Sequence, residues 1–142
     1  MKVLVISDVH NDLEKLRRVV SLYPKMDLYL CLGDSESGDI SPFTSIRGNC
    51  DYFLDYPLTK DIVTPYGTMH LEHGILGNSE AYVKTKKCKI FLSGHTHRRY
   101  FKKYDDIYVF NPGSLSKPRD GYYSYLILDI TENEVKFEFK SL

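Results

Sequence analysis

The chain has no excess of charge. Lysine plus arginine matches aspartate plus glutamate at 19 each, which argues against a broad surface for a polyanion and makes nucleic acid a poor partner. It also lacks a CxxC pair. Its three cysteines, Cys31, Cys50 and Cys88, are odd in number and widely spaced. That speaks against a thiolate zinc knuckle or a disulfide framework and fits reduced thiols in the cytoplasm. Cys31 lies in an apolar run and Cys88 next to a strand start, so both read as small core residues. Cys50 alone stands in a polar motif. No apolar run is long enough for a membrane span or a signal-peptide core; the first, Val3 to Ile6, stops at Ser7-Asp8. Linkers, repeats and low-complexity stretches are absent too. What remains is the expectation of one domain over residues 1–142. At 42% hydrophobic and 27% charged residues, it has enough apolar chain to bury a core.

The opening of the chain alternates strand and helix. Lys2 to Ser7 is an unbroken apolar run of buried-strand type. Asn11 offers an N-cap with Glu14 three residues on, as in a capping box. Leu13, Leu16, Val19, Val20 and Tyr23 follow at helical spacing until Pro24. Asp27 to Leu32 is a second buried strand, and Phe43 to Arg47 a third. This β-α-β opening favours a parallel central sheet. From about Asp61 the pattern turns to hairpins. One folds around Pro65-Tyr66-Gly67, one around Tyr104-Asp105-Asp106, and Tyr122 to Ile130 with Val135 to Lys140 form the last. Between them come a short helix over Asn78 to Lys87, with its lysines on a solvated face, and a buried strand over Lys89 to Ser93.

Polar residues concentrate where these strands end. Four of the five histidines fall in Asp8-Val9-His10, His73-Gly74 and Gly94-His95-Thr96-His97. Gly33-Asp34 and Gly48-Asn49-Cys50-Asp51 stand between them. In open α/β sheets, sites form at the carboxyl ends of strands. Asp8, His10, Asp34, Asn49, His73, His95 and His97 are more ligands than one four-coordinate ion takes, and they suit two ions sharing a carboxylate, for which Asp34 is the natural bridge. Oxygen and imidazole donors without thiolate favour Mn, Fe, Co, Ni or Zn. Two divalent ions less two carboxylates and a hydroxide leave a positive centre, which attracts an anionic ester and acidifies bound water. His70 is the control. Period-two alternation puts it on the opposite strand face from His73, so it is read as a non-ligand. Each residue also has an ordinary reading. Asp8 would serve as a helix cap, Asp34 as a turn residue, Asn49 and Asp51 as an Asx-turn, and a single His as a satisfied core residue. Arg98, Lys117 and Arg119 read equally well as surface cations or phosphate contacts.

Taken in order, D-x-H, G-D, G-N, H-G and G-H-x-H resemble the signature of the calcineurin-like metallophosphoesterases. Asn111-Pro112-Gly113-Ser114 is similar to a further motif of that family's small prokaryotic phosphodiesterase branch. The resemblance spans residues 2 to about 119. Any one motif is weak alone, but the five in this order are specific. The resemblance implies an α/β fold, a four-layer α-β-β-α sandwich with mixed sheets. It implies one ion on Asp8, His10, Asp34 and His97, and another on Asp34, Asn49, His73 and His95, manganese foremost. The activity it implies is hydrolysis of small phosphate esters, diesters first, by a hydroxide bridging the ions, with no membrane and with self-association left open. Asp34, Asn49, Cys50 and Asp51 would form the catalytic group, Asp51 in support. Two departures stand out. Cys50 occupies the place where much of the wider family has a proton-donating His. Ser37 replaces the last Asp of the common G-D-x-x-D pattern, which weakens a protein-phosphatase reading. Three alternatives compete: a scaffold of the same fold without catalysis, as in a related retromer subunit, a nuclease, and a phosphomonoesterase.

Overall fold

The computed structural model describes residues 1–142 as ten strands and two helices. Five strands form the first sheet in the order β10 (Val135–Ser141), β9 (Ser124–Ile130), β1 (Lys2–Ile6), β2 (Leu28–Cys31) and β3 (Thr44–Ser45). Here β1, β2 and β3 run parallel, while β9 and β10 are antiparallel additions. The second sheet has the order β4 (Thr59–Thr64), β5 (Gly67–Glu72), β6 (Ile90–Leu92), β8 (Ile107–Pro112) and β7 (Arg99–Tyr104). Its middle strands β5, β6 and β8 are parallel, and both edges are antiparallel.

Strand alternation explains the layering. Val3, Val5, Leu30 and Leu32 of the first sheet meet Met69, Leu71, Ile90, Leu92 and Phe110 of the second in one buried cluster. The intervening residues face outward: Leu4, Ile6 and Cys31 pack under Leu16 and Val19 of α1 (Leu13–Leu22). On the far side Phe91 and Val109 pack under Val83 of α2 (Glu80–Lys84). The chain is therefore a helix-sheet-sheet-helix sandwich, as the resemblance implies. Parallel strands are buried on both faces, which is why β1 and β2 read as unbroken apolar runs. No helix is long and apolar enough to cross a membrane.

Several boundaries differ from the sequence expectations. Asp12, not Asn11, caps α1, its carboxylate accepting from the Lys15 N–H at 3.2 Å. Asn11 has a left-handed backbone, φ 62°, and its own N–H is committed to the Ser35 carbonyl at 2.8 Å. The third strand shrinks to Thr44–Ser45. The second helix is limited to Glu80–Lys84, because Lys87 turns left-handed at φ 53° to feed β6.

His70 lies on the outer face of β5, stacked on Phe91 with ring centroids 5.5 Å apart. Its Nδ1 meets Asp61 at 2.7 Å and its Nε2 meets buried Glu72 at 2.8 Å. The Tyr82 hydroxyl donates to Glu72 from α2. Burial opposes the imidazolium, but the bonds to Glu72 and Asp61 prevail and raise the His70 pKa above its ordinary 6.5. A raised pKa contributes stability that is complete below the unfolded value and is lost as pH climbs through the folded one. His70→Gln should therefore lose about 3 kcal/mol of stability near pH 6, as breaking one side of a buried pair does. Its deficit should shrink on the alkaline side. Urea melts of both proteins between pH 6 and pH 9 check this, and a deficit independent of pH would reject the charged form of His70.

Candidate metal centre

The polar clusters converge at the carboxyl ends of β1, β2, β5 and β6, where the two sheets meet. Backbone bonds lace the loops together before any side chain is considered. Asp8 N–H donates to the Gly33 carbonyl at 3.0 Å, His10 N–H to the Asp34 carbonyl at 2.8 Å, and Gly94 N–H to the His73 carbonyl at 2.7 Å. Two glycines allow this crowding. Gly33 has φ 98°, and a Cβ there would come within 2.7 Å of His73 Nδ1. A Cβ on Gly94 would collide with the Ser7 hydroxyl and lie 2.8 Å from the Asp8 carboxylate.

Ten residues other than glycine have positive φ, and five of them are Asp8, His10, Asp34, His95 and His97. Such a backbone costs a side-chain-bearing residue about 1–2 kcal/mol. Strain gathered on one set of polar residues points to a geometry maintained for function.

Asp8 is fully buried. Its Oδ2 accepts from the Ser7 hydroxyl at 2.6 Å and from the His95 N–H at 3.0 Å. Its Oδ1 has no hydrogen-bond partner, and neither does His73 Nε2. Around that free oxygen stand the Nε2 atoms of His97 at 3.3 Å, His73 at 3.8 Å and His10 at 3.9 Å. His10 Nε2 and His97 Nε2 face each other at 3.3 Å.

The outer nitrogens explain why the inner ones point inward. His73 Nδ1 donates to the Leu32 carbonyl at 2.7 Å and His97 Nδ1 to the Lys117 carbonyl at 2.6 Å. His10 Nδ1 is 2.9 Å from Glu36. An imidazole fixed in this way presents the Nε2 lone pair, as metal-binding histidines do.

Asp34 is buried, its Oδ1 accepting from the Cys50 N–H at 2.7 Å and its Oδ2 lying 3.2 Å from His73 Nε2. Burial opposes its charge, yet His73 and the Cys50 N–H outweigh burial and lower its pKa. Burial likewise works against a charged His73, but Asp34 and Asp8 raise its pKa. His97 is raised chiefly by Asp8. His95 is lowered by burial and by neighbouring His73, with ring centroids 5.1 Å apart.

Donor atoms close enough to share an ion occur in Asp8, His10 and His97, in Asp8, Asp34 and His73, and in His10, Asp34 and Cys50. The His95 ring belongs to none of these groups but lies beside His73. Asn49 is exposed at the rim, its amide 3.6 Å from Cys50 Sγ. Burial and then Asp34 push the Cys50 thiol pKa up.

Asp51 touches no imidazole. It accepts from the N–H groups of Asp34 at 2.8 Å, Glu36 at 2.8 Å and Gly48 at 2.7 Å. It clamps the two loops that present Asp34 and Asn49. The carboxylate partner of an imidazole is Glu36, which the sequence reading did not single out; its only signal was an acidic residue two positions after Asp34. The Asn111-Pro112-Gly113-Ser114 turn supports the site. The Asn111 amide donates to the Gly94 carbonyl at 2.9 Å, and the Ser114 hydroxyl to the Asp8 carbonyl at 2.8 Å.

A buried aspartate with a free oxygen, ringed by imidazoles with inward lone pairs, makes a candidate metal centre between two mixed sheets. Residues 1–133 match the calcineurin-like phosphoesterase superfamily domain, and the chain belongs to that superfamily. The phosphodiesterase YfcE of Escherichia coli K12 is 26% identical over 161 aligned positions, covering 91% of this chain and 88% of YfcE. The probable metallophosphoesterase YsnB of Bacillus subtilis is 28% identical, covering 98% and 90%. Among solved structures, a conserved phosphoesterase-like protein of Streptococcus pneumoniae superposes with a TM-score of 0.86 at 26% identity, covering 99% of this chain and 88% of that one. Vps29 of Chaetomium thermophilum has a TM-score of 0.77 at 20% identity, covering 99% and 95%, which is a likeness of fold alone.

Proposed function

We infer that this chain is a phosphodiesterase that works with two divalent ions. The observation that carries the reading is the unpartnered Asp8 Oδ1, buried among three inward-facing imidazole nitrogens. A buried carboxylate oxygen without a donor is costly, and imidazole nitrogens 3.3 Å apart need a shared cation or proton between them. The donor chemistry fits divalent transition ions, manganese foremost, with Fe, Co, Ni and Zn also suited. Asp8, His10, Asp34 and His97 would hold one ion, and Asp34, Asn49, His73 and His95 the other. When bound, the ions acidify water and neutralise charge on phosphoryl oxygens.

The protein's own groups supply the rest. Asp34 keeps one oxygen on the Cys50 N–H and directs the other toward His73. Glu36, the Leu32 carbonyl and the Lys117 carbonyl hold three rings in the inward tautomer. Asn49, at the open rim, offers an amide donor to a phosphoryl oxygen. The similarity to YfcE supports a diester over a monoester, and the complete ligand set favours an enzyme over a scaffold. The cysteines are all unpaired, in keeping with the cytoplasm.

The test is a screen of metal-stripped protein, crossing divalent ions with diesters, monoesters and cyclic nucleotides. Metal-dependent turnover of diesters is expected, and no turnover with any ion would reject the reading. Cys50 is expected to contribute little. Cys50→Ala should retain at least about a tenth of wild-type kcat on nitrophenyl diesters, since general-acid assistance matters least for good leaving groups. A collapse confined to diesters with poor leaving groups would instead make the Cys50 thiol their proton donor.

A further inference from the structure

Two open cavities, about 400 Å³ and 440 Å³, flank the candidate centre. One includes His73 and Gly74 in its wall, the other Asn49. Arg47, Leu58 and Ile75 line both, so the two form a continuous groove past the centre. The walls are unusually apolar for exposed surface beside a charged site. Leu58 is 69% exposed, Ile75 57% and Leu76 70%, while Tyr52 closes the Asn49 side at 70%. Arg47 is exposed, and no carboxylate lies within salt-bridge distance of its guanidinium. The other cation of the groove, Lys86, is already placed over the Tyr82 ring and 3.9 Å from Glu72.

We propose that this groove is the subsite for an ester arm of the substrate. It takes a flat apolar or aromatic arm, and Arg47 pairs with the anionic phosphate to which that arm is attached. The proposal rests on the phosphoesterase reading and extends it to substrate chemistry. A phosphomonoester has no second arm and would leave the groove unused. A diester has one, together with the single negative charge that an unpaired guanidinium complements. Leu58 and Ile75 are too exposed to serve the core, and they offer apolar surface beside the charged site. Preferred substrates are therefore diesters with an aryl, nucleobase-bearing or similarly flat arm, ahead of short alkyl diesters.

Phosphinates test the subsite without catalysis, because their phosphorus carries carbon in place of both ester oxygens and cannot be hydrolysed. Calorimetry on the metal-loaded protein should show diphenylphosphinate binding on the order of tenfold tighter than dimethylphosphinate, from burial of ring surface. In Leu58→Ser/Ile75→Ser that ratio should fall to about two or less, whereas Leu22→Ser, on the exposed side of α1, should keep it. Arg47→Gln should weaken both phosphinates by a similar factor. In parallel, kcat/KM for phenyl 4-nitrophenyl phosphate should exceed that for methyl 4-nitrophenyl phosphate by a comparable ratio. Equal affinity for the two phosphinates, or a ratio unchanged in the double variant, would overturn the subsite and leave the apolar rim for a protein partner. A normal phosphinate ratio without hydrolysis of any ester would instead overturn the enzymatic reading and leave the subsite standing.

Discussion

Asp34→Asn should lower kcat on diesters by on the order of 10³-fold or more while the protein stays folded. The two halves of this expectation have separate causes. The amide is isosteric with the carboxylate and keeps an oxygen for the Cys50 N–H, now at 2.7 Å, so the loop it anchors survives. The clamp that fixes the Asp34 backbone belongs to Asp51 and is untouched. What disappears is the negative charge beside His73 and the second anionic oxygen that would bridge two ions. Because each 1.36 kcal/mol of transition-state stabilisation is a factor of ten, losing several kcal/mol of metal-supplied stabilisation gives about that deficit. Steady-state kinetics, with circular dichroism as the folding control, decide the matter. A folded Asp34→Asn within tenfold of wild type would remove Asp34 from the mechanism.

Stripping the metal should abolish turnover and also soften the fold. Asp8 Oδ1 and His73 Nε2 are buried without partners, and the residues around them have left-handed backbones. An ion that binds only the folded chain stabilises it by about 2.7 kcal/mol at a hundred times its Kd. For a chain of this length that is a rise in Tm of roughly 5–10 °C. Calorimetric melts with chelator, and after return of manganese, should show that shift. An identical Tm in both states would mean that the cluster tolerates its free groups without an ion.

Much of this was legible in the sequence, for a physical reason. A parallel strand buried on both faces must be an unbroken apolar run, so the ends of β1, β2 and β6 were marked by the first polar residue. Those ends carry the candidate ligands Asp8, Asp34 and His95. Period-two alternation separated His70 from His73 without coordinates. What stayed hidden depended on contacts between distant segments. Glu36 meets His10 and Asp51 clamps the Asp34 backbone only after two loops are brought together, and no local pattern announces either. The Asp12 cap was missed because capping rules are local, whereas Asn11 is drawn into a left-handed turn by a bond to Ser35. The hydrogen-bonded group of Asp61, His70, Glu72 and Tyr82 was out of reach for the same reason. So was Arg47, whose meaning comes from the two cavities it borders rather than from its neighbours in the chain.

We propose that the centre is paired, with Asp34 shared and with Asp8, His10 and His97 on one side and Asn49, His73 and His95 on the other as the groups that would hold the ions. The most direct measurement is metal content at saturation, by elemental analysis of protein equilibrated with manganese and freed of excess by gel filtration. Two ions per chain are expected for wild type, with a loss of at least one in Asp34→Asn. A single ion per wild-type chain at saturation would contradict it.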